Sequence, residues 1–100
     1  MDKHDAMKLA ATLSSREPNE LTRTNVALLT AAQAVRGAAS GDLRATDFYE
    51  LAADVALDPV QAIAQITSLA ILALGAFDAL AQTRGEDVEV VLRRLGIITA

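Results

Sequence analysis

The stretch from Pro59 to Arg84 constrains the fold more than any other part of this chain, because it is long and almost entirely apolar. Between Leu69 and Phe77 it contains no polar side chain at all. A helix that is apolar on every side is either buried all round or lies in a membrane. We therefore predict a long helix over 59–84, and we expect 69–77 to be the most buried part of the domain.

Both ends of this helix carry local signals. Asp58 can cap it, Pro59 fits the first helical position, and Gln61 completes a spacing similar to a capping box. Gly85 provides the left-handed stop. The glutamines at 61, 65 and 82 lie on roughly one face, and we expect them to be nearer solvent.

Four further helices are predicted from the spacing of apolar residues and from the capping residues, glycines and prolines that mark helix ends. They cover about Lys3–Leu13, a second stretch that starts after an N-cap at Asn19, Thr22 or Thr24, about Asp47–Leu57, and about Val88–Leu95. The second helix ends at Gly37 or Gly41, and we favour Gly41. No segment alternates with a period of two, so no sheet is expected. The predicted fold is a single all-α domain over residues 1–100, a compact bundle of four to five helices around the long central helix.

The composition limits the cellular compartment and the kinds of functional site that we expect. There is no cysteine, which excludes disulfides, zinc–thiolate sites and thiol catalysis and favours a reducing interior. The N-terminus from Met1 to Asp5 is polar, with no apolar signal region after it, so we expect a cytoplasmic protein. The Ala-, Arg- and Leu-rich composition is typical of a high-GC bacterium. The net charge of −4 argues against general nucleic-acid affinity.

Candidate catalytic groups lack partners. His4 is the sole histidine and lies near the terminus, so no serine has a histidine beside it that could act as a base. Glu86, Asp87 and Glu89 precede or open a helix, where carboxylates favour the dipole. Asp78 should be exposed or paired with Arg44, Arg93 or Arg94. We expect no enzyme activity, no cofactor and no metal site.

The stretch from Leu51 to Ile63, with its Leu-Ala start and its Asp58-Pro59 cap, resembles a helix-turn-helix DNA-binding motif. The resemblance implies a regulator that reads DNA with the second helix of the 51–66 corner. That helix departs from the pattern: it offers Val60, Gln61, Ala64 and Gln65 and has no basic residue before Arg84. We keep DNA binding as the alternative function.

The segment from Ala62 to Ala81 approaches the length of a membrane span. Gln65, Thr67, Ser68 and Asp78 interrupt it, and no basic residue flanks its N-terminal side closely. A soluble helix within a bundle is the favoured interpretation, and detergent-free solubility would test it.

The leading hypothesis is a non-enzymatic protein–protein interaction module, a homodimer or a binder of another protein. We expect that the shorter partner helices do not cover every face of the long helix, and a leftover apolar stripe would be an exposed patch of the kind that marks interfaces. Alanines at four- and three-residue steps on the second helix form another candidate surface. The candidate interface residues are Ala27, Ala31, Ala34, Ala38, Leu72, Ile97 and Ile98. A ligand cavity beside the long helix is a third possibility, although no ligand is specified.

Overall fold

The computed structural model describes residues 1–37 and 46–96, which form five helices and no strand. The helices are α1 (Lys3–Arg16), α2 (Pro18–Gly37), α3 (Thr46–Ala56), α4 (Pro59–Arg84) and α5 (Val88–Arg94). The all-α prediction is confirmed, and the long helix occupies the predicted residues. Helix α1 continues to Arg16 instead of ending at Leu13.

The junction between α1 and α2 is tighter than predicted, since Glu17 alone separates the two helices. Helix α2 starts at Pro18, and the Leu21 amide donates to the Glu17 carbonyl at 3.2 Å. Proline suits this first position because it has no amide hydrogen to satisfy.

The three predicted N-caps of α2, at Asn19, Thr22 and Thr24, are therefore wrong, because all three lie inside the helix. The Thr22 hydroxyl donates instead to the Pro18 carbonyl at 2.9 Å. Gly41, the favoured end of this helix, lies outside the described residues.

Both predicted ends of α4 are confirmed. The Asp58 carboxylate accepts the Val60 amide at 2.9 Å and the Gln61 amide at 3.4 Å. At the other end Gly85 has φ +66. Its amide donates to the Gln82 carbonyl at 3.2 Å, and the next amide, of Glu86, donates to Ala81 at 2.9 Å. These two bonds form a Schellman motif, which needs the left-handed residue that glycine supplies without strain.

The chain divides into two units, Met1–Ser68 and Leu69–Ala100, with the boundary inside α4. In the first unit α2 packs against α1 and against α3. Its core joins Ala10, Leu21 and Ala64, with three half-buried apolar side chains packed around them, those of Leu13, Val60 and Ile63. Two of the three central residues are alanine, so the helices approach closely. The single-domain assignment stays a prediction.

The second unit contains the last part of α4 and the seven-residue α5. Ala81 and Val91 are buried there, and Phe77 and Leu80 are half-buried. The prediction that 69–77 is the most buried segment is wrong, because every residue from Ala70 to Ala76 is exposed. Helix α5 is about 10 Å long, whereas the stretch of α4 in this unit is about 24 Å, so α5 cannot cover it.

Candidate interaction surface

Gln65 lies at the centre of a buried hydrogen-bonded group in the first unit. The residue is only 1% exposed. Its Nε2 donates to the Leu21 carbonyl at 2.9 Å and to the side-chain oxygen of Asn25. Asn25 in turn donates from Nδ2 to the Ser68 hydroxyl at 2.7 Å. The prediction that Gln65 faces solvent is wrong, because polar groups of α2 satisfy it inside the unit.

The same burial bears on the helix-turn-helix resemblance. A recognition helix presents its first turns to the DNA groove. In this structure Ala64 and Gln65 are buried, and Val60 and Gln61 are half-buried. These are the side chains the motif would use, and they pack within the protein instead.

The most exposed apolar part of α4 lies in the second unit. Successive helical residues are 100° apart, so the seven residues from Ala70 to Ala76 point in all directions around the axis. Three of them are large: Ile71, Leu72 and Leu74 are 67%, 44% and 53% exposed. Helix α4 is long and apolar enough to cross a membrane, and only 11% of the 18-residue window that meets this criterion is buried.

One side of this segment is open over its whole length. Ile71, Gly75 and Ala79 follow one another at four-residue steps, Leu72 lies beside them, and all four are exposed. We call these four residues the α4 open face. The other side differs, because there Phe77, Leu80 and Ala81 are already half-buried or buried. A second helix could therefore cross the α4 open face, which is bounded at its N-terminal end by Ser68, where Asn25 of α2 is bonded.

Gly75 is unusual within this face. A β-carbon built on it would meet no atom within 4 Å apart from the adjacent backbone of α4. Glycine inside a helix is less favourable than alanine by about 1 kcal/mol. No contact among the described residues requires the missing side chain, so the cost of this glycine has no local compensation.

The other predicted interface residues are less clearly placed. Ala27 is exposed, and Ala31 and Ala34 are half-buried. They lie in the first unit, whereas Leu72 lies in the second. Ala38, Ile97 and Ile98 are outside the described residues. Sequence reasoning missed Ile71 and Gly75, because it assigned them to the most buried segment.

The acidic residues around α5 form ion pairs with its arginines or lie at its N-terminus. Glu86 pairs with Arg94 at 2.8 Å, and Glu89 lies 3.9 Å from Arg93. Asp87 occupies the N-cap position without a side-chain bond to the helix. Asp78 is exposed, as expected for a carboxylate on an apolar helix. Across residues 1–37 and 46–96, no three His, Cys, Asp or Glu side chains form a group able to hold a metal ion.

Two of the open depressions formed by the described residues lie beside α4. One, of about 520 Å³, lies in the first unit between α1 and the start of α4, with Leu9, Leu13 and Val60 among its walls. The other, of about 450 Å³, lies in the second unit and collects Asp78 and the acidic residues before and within α5.

Fold and surface together define an all-α protein whose longest helix carries an uncovered apolar segment. Comparison with protein-family models, with curated proteins and with solved structures finds no match to this chain.

Proposed function

We propose that this protein is a non-enzymatic interaction module that self-associates through the part of α4 in its second unit. The observation that carries the proposal is the exposure of Ala70–Ala76, about two turns of helix with only apolar residues. Removing apolar surface from water is the main favourable term in protein association. Soluble proteins rarely leave such a surface uncovered unless a partner binds it.

A lipid bilayer is the alternative environment for the apolar surface of α4, since this helix has the length and composition needed to cross a membrane. Two residues disfavour it. Gln65 is bound to polar groups of α2, and these contacts would have to break or enter the membrane with it. Asp78 ends the stretch from Leu69 to Phe77 after nine residues, about 14 Å, whereas the hydrocarbon core is about 30 Å thick. A protein surface fits this segment better.

The first test is the mass of the protein in solution, measured by light scattering or sedimentation from low to high micromolar concentration. We expect the wild-type mass to rise above that of one chain. Ile71→Lys places a charge on the exposed segment and should keep the protein monomeric, because burying an unpaired ammonium is strongly unfavourable.

Leu57→Lys is the matched control, since Leu57 is also an exposed apolar residue, at 83%, but lies at the corner between α3 and α4. It should associate as the wild type does. A wild-type protein that remains one chain at every concentration contradicts the proposal. Flotation with phosphatidylcholine vesicles, abolished by Ile71→Lys, would show that a bilayer covers α4 instead.

A further inference from the structure

We propose that the partner on the α4 open face is the α4 helix of a second copy, running antiparallel and crossing at Gly75. This inference rests on the proposed function, because it specifies how two copies meet. A two-fold pair uses the same patch on both molecules, so the patch must fit itself. The α4 open face meets that requirement in one orientation.

The sizes of the side chains fit when the helices are antiparallel. Ile71 and Ala79 lie four residues on either side of Gly75. In an antiparallel pair centred on Gly75, the large Ile71 therefore faces the small Ala79 of the second copy, and the converse pair forms on the other side. In a parallel pair the two isoleucines face each other and so do the two alanines. Alternation of large and small side chains across an interface gives the closer packing.

Gly75 itself is explained by this arrangement. At the crossing point each glycine faces the other, and the absence of β-carbons lets the two backbones approach closely. Apart from the adjacent backbone of α4, nothing among the described residues lies within 4 Å of a β-carbon at this position, so the space above Gly75 is open to a second molecule. The exposed Ile71 and Leu72 supply apolar contact beside it.

The charges on α4 distinguish the two orientations independently. Asp78 is exposed at the edge of the α4 open face. In a parallel pair it would lie level with the Asp78 of the second copy. In the antiparallel pair centred on Gly75 the two carboxylates are offset by six residues, about 9 Å along the axis. That offset is comparable to the Debye length at physiological salt, so their repulsion is largely screened.

Absence of cysteine from the sequence makes the orientation directly measurable. Two single variants, Ile71→Cys and Ala79→Cys, are prepared separately, checked for wild-type helicity by circular dichroism, and oxidised alone and as an equimolar mixture. The antiparallel pair predicts that the mixture forms a covalent dimer containing one chain of each kind. Neither variant alone should cross-link efficiently. Ala70→Cys, on a different side of the same exposed turns, measures the background.

Efficient cross-linking of each variant to itself would show a parallel pair and overturn the inference. A mass above one chain with cross-linking no greater than that of Ala70→Cys would also overturn it, while leaving self-association intact. A protein that stays monomeric in the light-scattering test removes both this inference and the proposed function.

A second variant tests the crossing point without cysteines. Gly75→Leu fills the space between the backbones and should weaken association roughly tenfold, because overpacking a close contact forces the backbones apart. Ala70→Leu adds a side chain of the same size elsewhere on the exposed turns and should change the dissociation constant much less. Equal effects of the two substitutions would exclude Gly75 from the contact.

Discussion

Gly75 and Gly85 lie on the same stretch of chain, and at neither would a β-carbon meet an atom within 4 Å beyond the adjacent backbone. They differ in backbone conformation. Gly85 has φ +66 and ends α4, whereas Gly75 lies in the middle of the helix. Replacing each glycine with alanine therefore shows how backbone conformation alone affects the free energy of unfolding at the two positions.

We predict that glycine-to-alanine substitutions at these positions have opposite signs. Gly75→Ala should raise the free energy of unfolding by about 0.5–1 kcal/mol, since alanine restricts the unfolded chain and favours the helix. Gly85→Ala should lower it by about 1–2 kcal/mol, the cost of a left-handed non-glycine residue. Urea denaturation at concentrations too low for self-association checks both values, and equal signs would contradict the assignment of these roles.

Gln65 should be the most sensitive polar residue of the first unit. Gln65→Ala removes its bonds to the Leu21 carbonyl and to Asn25, leaves the buried Asn25 oxygen without this donor, and opens a cavity. We expect a loss of about 2–3 kcal/mol in the free energy of unfolding. Gln82→Ala, at an exposed position on the same helix, should change it by less than about 0.5 kcal/mol. Similar losses at both positions would contradict a structural role for the buried group.

At the scale of the helix, sequence reasoning found the ends of α4 but not its faces. The ends are set by local chemistry, because Asp58, Pro59 and Gly85 act on their immediate neighbours. Burial depends on which helix lies alongside. Hydropathy alone placed Gln65 outside and Ile71 inside, and both assignments were wrong. The bond from Gln65 to Asn25 joins residues 40 apart in the sequence, and no local pattern specifies it.

The start of α2 illustrates a different failure. Three residues with good capping propensity follow Pro18, and propensity alone cannot choose among them. The helix begins before all of them, because Pro18 is suited to the first position and α1 ends immediately upstream. The candidate interface stays a prediction. Its residue Leu72 is exposed, and so are Ile71 and Gly75, which were left out of it because 69–77 was expected to be buried.

The cap of α4 gives a prediction at this scale. Asp58→Ala removes the acceptor of the Val60 amide and should cost about 1 kcal/mol of stability, typical of a lost N-cap. Asp54→Ala changes the net charge equally at an exposed position of α3. A loss for Asp54→Ala as large as that for Asp58→Ala would point to charge, and not to the cap.

For the whole molecule we predict one cooperative unfolding transition. Helix α4 continues without a break through both units, and most of the stability of a helix in a protein comes from tertiary packing. Loss of either unit should therefore destabilise the other. Calorimetry on the dilute protein should give a single peak whose calorimetric and van't Hoff enthalpies agree. Two separate peaks would instead show that the units fold independently.

The Schellman turn at Gly85 places α5 at the end of the described chain, as a helix of seven residues with one buried side chain, Val91. Its pairs, Glu86–Arg94 and Glu89–Arg93, have largely exposed side chains apart from Glu86, and such pairs add little. Within the overall unfolding, α5 should therefore open locally and more often than the rest. Its amides should exchange hydrogen fastest among the helices, and trypsin should cut first after Arg93 or Arg94. The last turns of α4 would then lose their cover, so opening of α5 would enlarge the apolar surface available for association.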